Sequence, residues 1–333
     1  MRKVSVLGDG GWGTALALVL LSNGHDVTLW GRDPEKMETM RRTRENKYLK
    51  GITLPGNLKL ESDPEAAVSG TELAVLATPS QFMRGTLQNF SKLLEPEKYP
   101  VVNVAKGIEN SSLKRMSEVF EEFFASTENY VVLSGPSHAE EVAKEVPTAV
   151  VAASKNPVSA EKVQEFFMSP SFRVYTTDDV TGVELGGSLK NVLAIAGGIC
   201  DGMNMGDNTK AALMTRGIAE MARLGNALGG RKETFAGLSG VGDLIVTCMS
   251  KHSRNRFVGD MLGKGFSLEE IREQMDGAVA EGVKTSVSAY QLAQKAGIET
   301  PLVNAVYDVL YLNRSPGEAV KELMGRSPKQ ENQ

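Results

Sequence analysis

Five short stretches of the chain, in four sets, carry residue types suited to proton transfer and anion binding. Lys190 stands in the apolar, helix-forming run Leu185–Cys200. At helical spacing Gly187, Lys190, Ala194 and Gly197 share one sector about 80° wide, flanked by Gly186 and Gly198. A lysine on such a stripe has room beside it for a substrate or for another helix. Burial among Leu185, Leu189, Val192 and Leu193 would draw its pKa toward neutrality, which suits a general acid/base. Alternatively the glycines serve tight helix packing and the ammonium reaches back to water. Asp243, between Gly242 and the apolar run Leu244–Val246, is either a helix cap or an acid that orients a lysine and tunes it. Further on, Ser253-Arg254-Asn255-Arg256 combines a guanidinium fork with an amide donor, a pairing suited to phosphate, unless Ser253 simply caps a helix. The fourth set is Lys106 and the turn Ser134-Gly135-Pro136-Ser137-His138-Ala139, each directly after a short apolar run.

The elements around these residues read as an α/β fold followed by helices. Val4–Leu7 is a strand and Thr14–Leu20 a helix, and between them the glycines at 8, 10 and 13 fit G-x-G-x-x-G. Gly8 permits the sharp turn, Gly10 the close approach of a pyrophosphate, and Gly13 close packing of helix on strand. The helix N-terminus offers free N–H groups to the phosphates. The second strand, Val27–Trp30, ends in Gly31-Arg32-Asp33. Dinucleotide folds place an acid there for the ribose hydroxyls. Here the acid is late and an arginine precedes it, which favours NADP or dual use. Asp33 also suits a helix cap ahead of Pro34. Leu73–Ala77, Val101–Ala105, Tyr130–Leu133, Thr148–Ala153 and Phe172–Thr176 are further strands. Phe82 follows the first of these, as a cofactor contact or an ordinary core aromatic. Lys106 and the Gly135 turn then fall on the ligand edge of a mostly parallel sheet, with His138 as an ordinary structural histidine. From residue 178 the pattern is helical, over 178–203, 208–228, 233–248, 254–263, 267–275, 283–296 and 301–312. The expected division is a dinucleotide-binding domain over 1–185, an all-helical domain over 186–325 and a disordered tail over 326–333.

Bulk properties narrow the function classes. The 333 residues suit two domains. A net charge of −4 argues against a nucleic-acid or membrane-surface protein, though a local cation cluster can still oppose it. Two cysteines, Cys200 and Cys248, and three histidines give no disulfide framework and no metal-site spacing. The chain enters a strand at once and holds no uninterrupted apolar run of about 18 residues, so neither a signal peptide nor a membrane span is expected and the location expected is cytoplasmic.

Taken in order, Gly8-Asp9-Gly10-Gly11-Trp12-Gly13, Ala105-Lys106-Gly107-Ile108-Glu109, Ser134-Gly135-Pro136-Ser137, Leu189-Lys190-Asn191, Gly242-Asp243-Leu244, Ser253-Arg254-Asn255-Arg256 and Val279-Ala280-Glu281-Gly282 closely resemble the NAD(P)-dependent glycerol-3-phosphate dehydrogenases of the soluble bacterial type. The resemblance covers residues 3 to about 315. It implies a Rossmann-like domain before an all-α domain, usually in a homodimer. It also implies reversible reduction of dihydroxyacetone phosphate to sn-glycerol 3-phosphate with NADPH or NADH, for glycerophospholipid synthesis. By that resemblance Lys190 is the proton donor and acceptor. Lys106, Gly135, Ser137, Asp243, Ser253, Arg254 and Asn255 surround the phosphorylated substrate. Gly11, Trp12, Arg32, Phe82, Lys106, Ala139, Arg254, Val279 and Glu281 touch the cofactor, and no metal is involved. Gly11 stands where serine is common in the family, and Ser239 and Val241 replace alanine and leucine. Two rivals remain at this point: a 3-hydroxyacid or ketopantoate-type reductase, against which Ser253–Arg256 argues, and a non-catalytic dinucleotide sensor, which would not need Lys106, Lys190 and Asp243 together.

Overall fold

The computed structural model describes residues 1–275, 277–328, 330 and 331. Eight strands among them form one sheet: β1 (Lys3–Leu7), β2 (Asp26–Trp30), β3 (Lys59–Glu61), β4 (Leu73–Leu76), β5 (Val101–Asn103), β6 (Tyr130–Ser134), β7 (Thr148–Ala153) and β8 (Phe172–Thr177). Their spatial order is β3-β2-β1-β4-β5-β6-β7-β8, and every neighbouring pair is parallel except β6 with β7. The central strands are continuous apolar runs because helices cover both faces; β4 and β5 are buried throughout. β3 has no such pattern. It is a short polar edge strand beside β2, with no apolar run to announce it.

Parallel pairing brings the C-terminal ends of β1, β2, β4, β5 and β6 to one edge, where the Gly8 turn, Gly31-Arg32, Thr78–Phe82, Lys106 and Gly135–Ala139 all lie. Gly8 adopts φ +136°, and a Cβ on it would stand 2.6 Å from the Ala77 carbonyl carbon. A Cβ on Gly13 would overlap the Gly8 carbonyl oxygen and lie 2.9 Å from the Ala77 side chain. Gly13→Ala should therefore cost about 1–3 kcal/mol of stability, the usual penalty of overpacking. An unchanged urea midpoint would mean that the turn opens without strain.

The long helix Val180–Gly202 is the axis of the helical half. Asp179 caps it, accepting from Gly182 N at 2.9 Å. Val180 and Val183 pack into the core beneath the sheet, whereas Leu185, Leu189 and Val192 onward belong to the helical core. The helix is long and apolar enough to cross a membrane by length and composition, although the sequence reading found no uninterrupted run of that kind; it is buried inside the fold along its whole apolar window. Its glycines do pack tightly. A Cβ on Gly186 would meet the Ser239 carbonyl oxygen at 2.7 Å, and one on Gly198 would overlap the Arg256 carbonyl. Gly259, on the helix Arg254–Gly263, is equally close to the Ile195 carbonyl. These backbone contacts fix where Arg254 and Asn255 stand relative to Lys190.

Two segments depart from expectation. The helix expected over 233–248 is three pieces: Lys232–Phe235, a π-turn over Leu238–Gly242, and Asp243–Met249. A Cβ on Gly240 would overlap the Phe235 backbone, so the glycines fold the chain back on itself rather than continue a helix. A further helix, Pro316–Met324, was not foreseen; Ser315 and Glu318 form its capping box and Pro316 opens it. The tail expected from residue 326 lies partly outside the described residues.

Candidate active site

The sheet edge meets the helical half at one buried carboxylate. Asp243, 1% exposed, opens the helix Asp243–Met249 immediately after the π-turn, and so is both a first-turn acid and a charge anchor. Its Oδ1 accepts from Lys190 Nζ at 2.9 Å and its Oδ2 from Lys106 Nζ at 2.7 Å. Lys190 is 6% exposed and does not reach back to water; its second partner is Thr247 Oγ1 at 2.7 Å. Lys106 also donates to the Gly135 carbonyl at 2.9 Å and to Ser137 Oγ at 3.4 Å. Gly135 adopts φ +143°, and a Cβ on it would stand 2.9 Å from Val150 Cα, so this turn requires glycine. Gly187, on the same helix face, leaves room for Ser134, whose Oγ a Cβ would approach to 2.8 Å, and lies beside the Lys106 stem, where a Cβ would be in ordinary contact with Cγ at 3.6 Å.

The charges tune one another. Burial lowers the Lys190 pKa, Asp243 raises it and Lys106 lowers it again, leaving it at about 8. Burial pushes Asp243 up, but Lys106 and Lys190 together outweigh it and hold the carboxyl below its ordinary value. Burial raises Glu281. Burial and the Lys190 charge lower His138, and its Nε2 is buried with no hydrogen-bond partner among the described residues. The ring is held by a hydrogen bond with the Val246 backbone, so the expected structural histidine is satisfied at one nitrogen and not at the other.

Other expected residues take mixed places. Asn255 is buried, donating to Asn191 Oδ1 at 2.8 Å and accepting from Gly282 N at 2.9 Å, so one of its two amide N–H bonds is already engaged. Asn191 in turn donates to the Lys106 carbonyl at 2.9 Å. Ser253 is a cap, accepting from Arg256 N at 3.1 Å. Arg256 pairs with Asp201 Oδ2 at 2.6 Å, whereas Arg254 donates to the Val279 carbonyl at 3.2 Å. Glu281 both opens the helix Glu281–Ala296 and accepts from Ser80 N at 3.0 Å. Phe82 is 58% exposed at the end of β4, not a core aromatic. Ala139 is the first residue of the short helix Ala139–Val142 after the Gly135 turn. Asp33 caps the helix Pro34–Thr43, accepting from Glu35 N and Lys36 N, and leaves Arg32 exposed beside it.

At the glycine turn, a Cβ on Gly10 would meet nothing within 4 Å, while one on Gly11 would stand 2.6 Å from the Tyr48 carbonyl oxygen. Asn46 holds that neighbouring loop down, donating to the Asp9 carbonyl at 2.9 Å and to Thr14 Oγ1 at 2.7 Å. The indole Nε1 of Trp12 is buried with no partner among the described residues. Thr247, Asn191 and Asn46 were given no role from the sequence. Thr247 was findable, since it lies one helical turn after Asp243; Asn46 sits in a basic stretch that carries no signal.

A doubly wound sheet whose ligand edge meets two ammonium groups on a carboxylate of a helical domain is the architecture of a two-domain, dinucleotide-dependent dehydrogenase. Family models agree in detail: the NAD-dependent glycerol-3-phosphate dehydrogenase N-terminus matches residues 3–160 and the C-terminus of the same family residues 179–321. The chain belongs to that family. It is 51% identical to the glycerol-3-phosphate dehydrogenase [NAD(P)+] of Bacillus cytotoxicus over 99% of this chain and 97% of that one. With the enzyme of the same name from Carboxydothermus hydrogenoformans it shares 50% identity over 99% and 98%. The crystal structure of glycerol-3-phosphate dehydrogenase from Coxiella burnetii superposes with a TM-score of 0.93 at 39% identity, covering 98% of this chain and 99% of that one.

Proposed function

We propose that this chain is an NAD(P)-dependent glycerol-3-phosphate dehydrogenase, interconverting dihydroxyacetone phosphate and sn-glycerol 3-phosphate. The observation that carries the reading is the buried Lys190–Asp243–Lys106 bridge, with a lysine pKa of about 8 at its centre. The residues present fit a dinucleotide: the space over Gly10 is open where a side chain would fill it, and the Trp12 indole N–H is unpartnered. Gly8, Gly10, Gly11, Trp12 and Gly13 would hold the pyrophosphate side, Arg32 the adenosine, and Phe82, Ala139, Val279 and Glu281 the rest. Bound there, the nicotinamide supplies the hydride in reduction and accepts it in oxidation.

The chain's own residues perform the proton chemistry. Negative charge develops on the substrate C2 oxygen during reduction, and Lys190, protonated below about pH 8, donates to it. Lys106 adds a second cation, held by Gly135 and Asp243. Asp243 and Thr247 fix the direction of the Lys190 ammonium. Arg254, with the remaining amide N–H of Asn255, anchors the phosphate and so positions C2. Residues 1–185 carry the dinucleotide on this reading and residues 186–325 the proton donor and phosphate anchor. A cytoplasmic homodimer serving glycerophospholipid synthesis follows from the family resemblance.

The test is NADPH and NADH oxidation with dihydroxyacetone phosphate beside a panel of 2- and 3-oxoacids. Turnover of an oxoacid but not the phosphorylated ketone would transfer the chain to the carboxylate-reducing rivals, and cofactor binding without turnover to the sensors. Within this reading Arg254→Ala should raise KM for the phosphorylated ketone by roughly 10–100-fold, the loss of a charge-assisted pair, and far more than for NADPH. Equal effects on both would move Arg254 to the cofactor.

A further inference from the structure

The residue between the first two glycines of the turn is Asp9, and its carboxylate faces the end of β2. Gly31, the residue after β2, is buried, and a Cβ on it would overlap Met37 Sδ and stand 2.9 Å from both Cγ and Oδ2 of Asp9. The carboxylate and the Met37 thioether thus share space that only a glycine at 31 leaves. Asp9 Oδ2 is buried and ion-paired with Lys36 Nζ, from the first turn of the helix Pro34–Thr43. The Lys36 ammonium also stands 4.5 Å from the centroid of the Tyr48 ring, with Lys47 at 4.9 Å.

In a doubly wound sheet the end of the second strand reads the adenosine ribose. An acid there accepts from the 2′-hydroxyl and repels a 2′-phosphate, and a cation does the reverse. Asp33, the acid that follows β2 in sequence, is turned onto its own helix as a cap. The carboxylate standing at that place comes from the first turn instead. We propose that Asp9 and Lys36 are the pair that discriminates the two cofactors. Asp9 accepts from the 2′-hydroxyl of an unphosphorylated ribose, and Lys36, exchanged from Asp9, joins Arg32 on a 2′-phosphate. A site of this kind takes both cofactors and is set between them by one movable cation. The pairing rests on reading the glycine turn as the dinucleotide site.

The experiment measures Kd for NADH and NADPH by calorimetry, and kcat/KM for each, in wild type, Asp9→Asn, Asp9→Ala and Lys36→Gln. Both Asp9 variants should raise the NADPH:NADH ratio of kcat/KM by about tenfold, and Lys36→Gln should lower it by a similar factor, the effect of one partly buried charge beside a charged ligand. Ratios within twofold of wild type, with both cofactors still bound, would overturn the pairing and leave the dinucleotide site intact. Equal loss of both cofactors in the folded Asp9 variants would make Asp9 a scaffold for the turn and overturn it too. Wild type that binds neither cofactor would instead remove the dinucleotide reading itself.

Discussion

Lys190→Ala should lower kcat by roughly 10²–10⁴, the share that general acid–base catalysis ordinarily contributes, with little change in KM for either cofactor. Lys106, the other ammonium on Asp243, is not free to substitute: it is tied to the Gly135 carbonyl, Ser137 Oγ and the far oxygen of Asp243. The pH profile gives a second readout. Lys190 titrates at about 8, so ketone reduction, which needs the ammonium, should decline above that pH in kcat/KM. Alcohol oxidation, which needs the neutral amine, should rise through the same value. Near wild-type turnover in Lys190→Ala, or profiles flat between pH 7 and 9 in both directions, would take Lys190 out of the proton-transfer role.

Asp243→Asn should be nearly as damaging, by a different route. Burial and Lys106 both push the Lys190 pKa down, and Asp243 is the largest influence opposing them. Without that charge Lys190 faces the Lys106 ammonium with no carboxylate between them and gives up its proton by pH 7. Reduction at pH 7 should fall by about tenfold, which takes a drop of roughly two pKa units because the lysine starts about one unit above that pH, and recover partly as the pH is lowered toward the new value. Stability should fall as well, because breaking a buried charge pair costs about 3–5 kcal/mol. Loss of activity with no recovery at lower pH would mean that Asp243 only maintains the fold.

Much of this was legible in the residues because glycine and charge are locally expressive. The turn Gly8–Gly13 sat between an apolar run and a helix pattern, and each glycine's role is a steric matter decided within a few residues. Lys190 on its small-residue stripe could be read as either a packed helix or a proton donor; the packing holds, since Gly186 and Gly198 let neighbouring backbone approach and Gly187 makes room for Ser134, while the ammonium is turned onto Asp243 rather than out to water. The pairing of Lys106 with Asp243 joins residues 137 apart in sequence, and no local pattern announces it. Asn255 shows the opposite case. Its type suited a phosphate, but a long-range bond to Asn191 claims part of it. The break in the helix expected over 233–248 had a visible cause in Gly237, Gly240 and Gly242, whose effect apolar periodicity outweighed. β3 lacked any pattern to read.

The cluster of cations at the cleft has a kinetic consequence. The chain is anionic overall at −4, yet Lys106 and Lys190 meet on the single carboxylate of Asp243 where the sheet edge meets the helical half, a local excess of positive charge. A local excess of positive charge on a surface of the other sign focuses the field, so a phosphorylated molecule is drawn to that edge and turned away elsewhere. That guidance acts over the Debye length, about 8 Å at physiological ionic strength, while the contacts that retain the phosphate are shorter and less screened. Added salt would therefore slow capture of the substrate more than it hastens its escape.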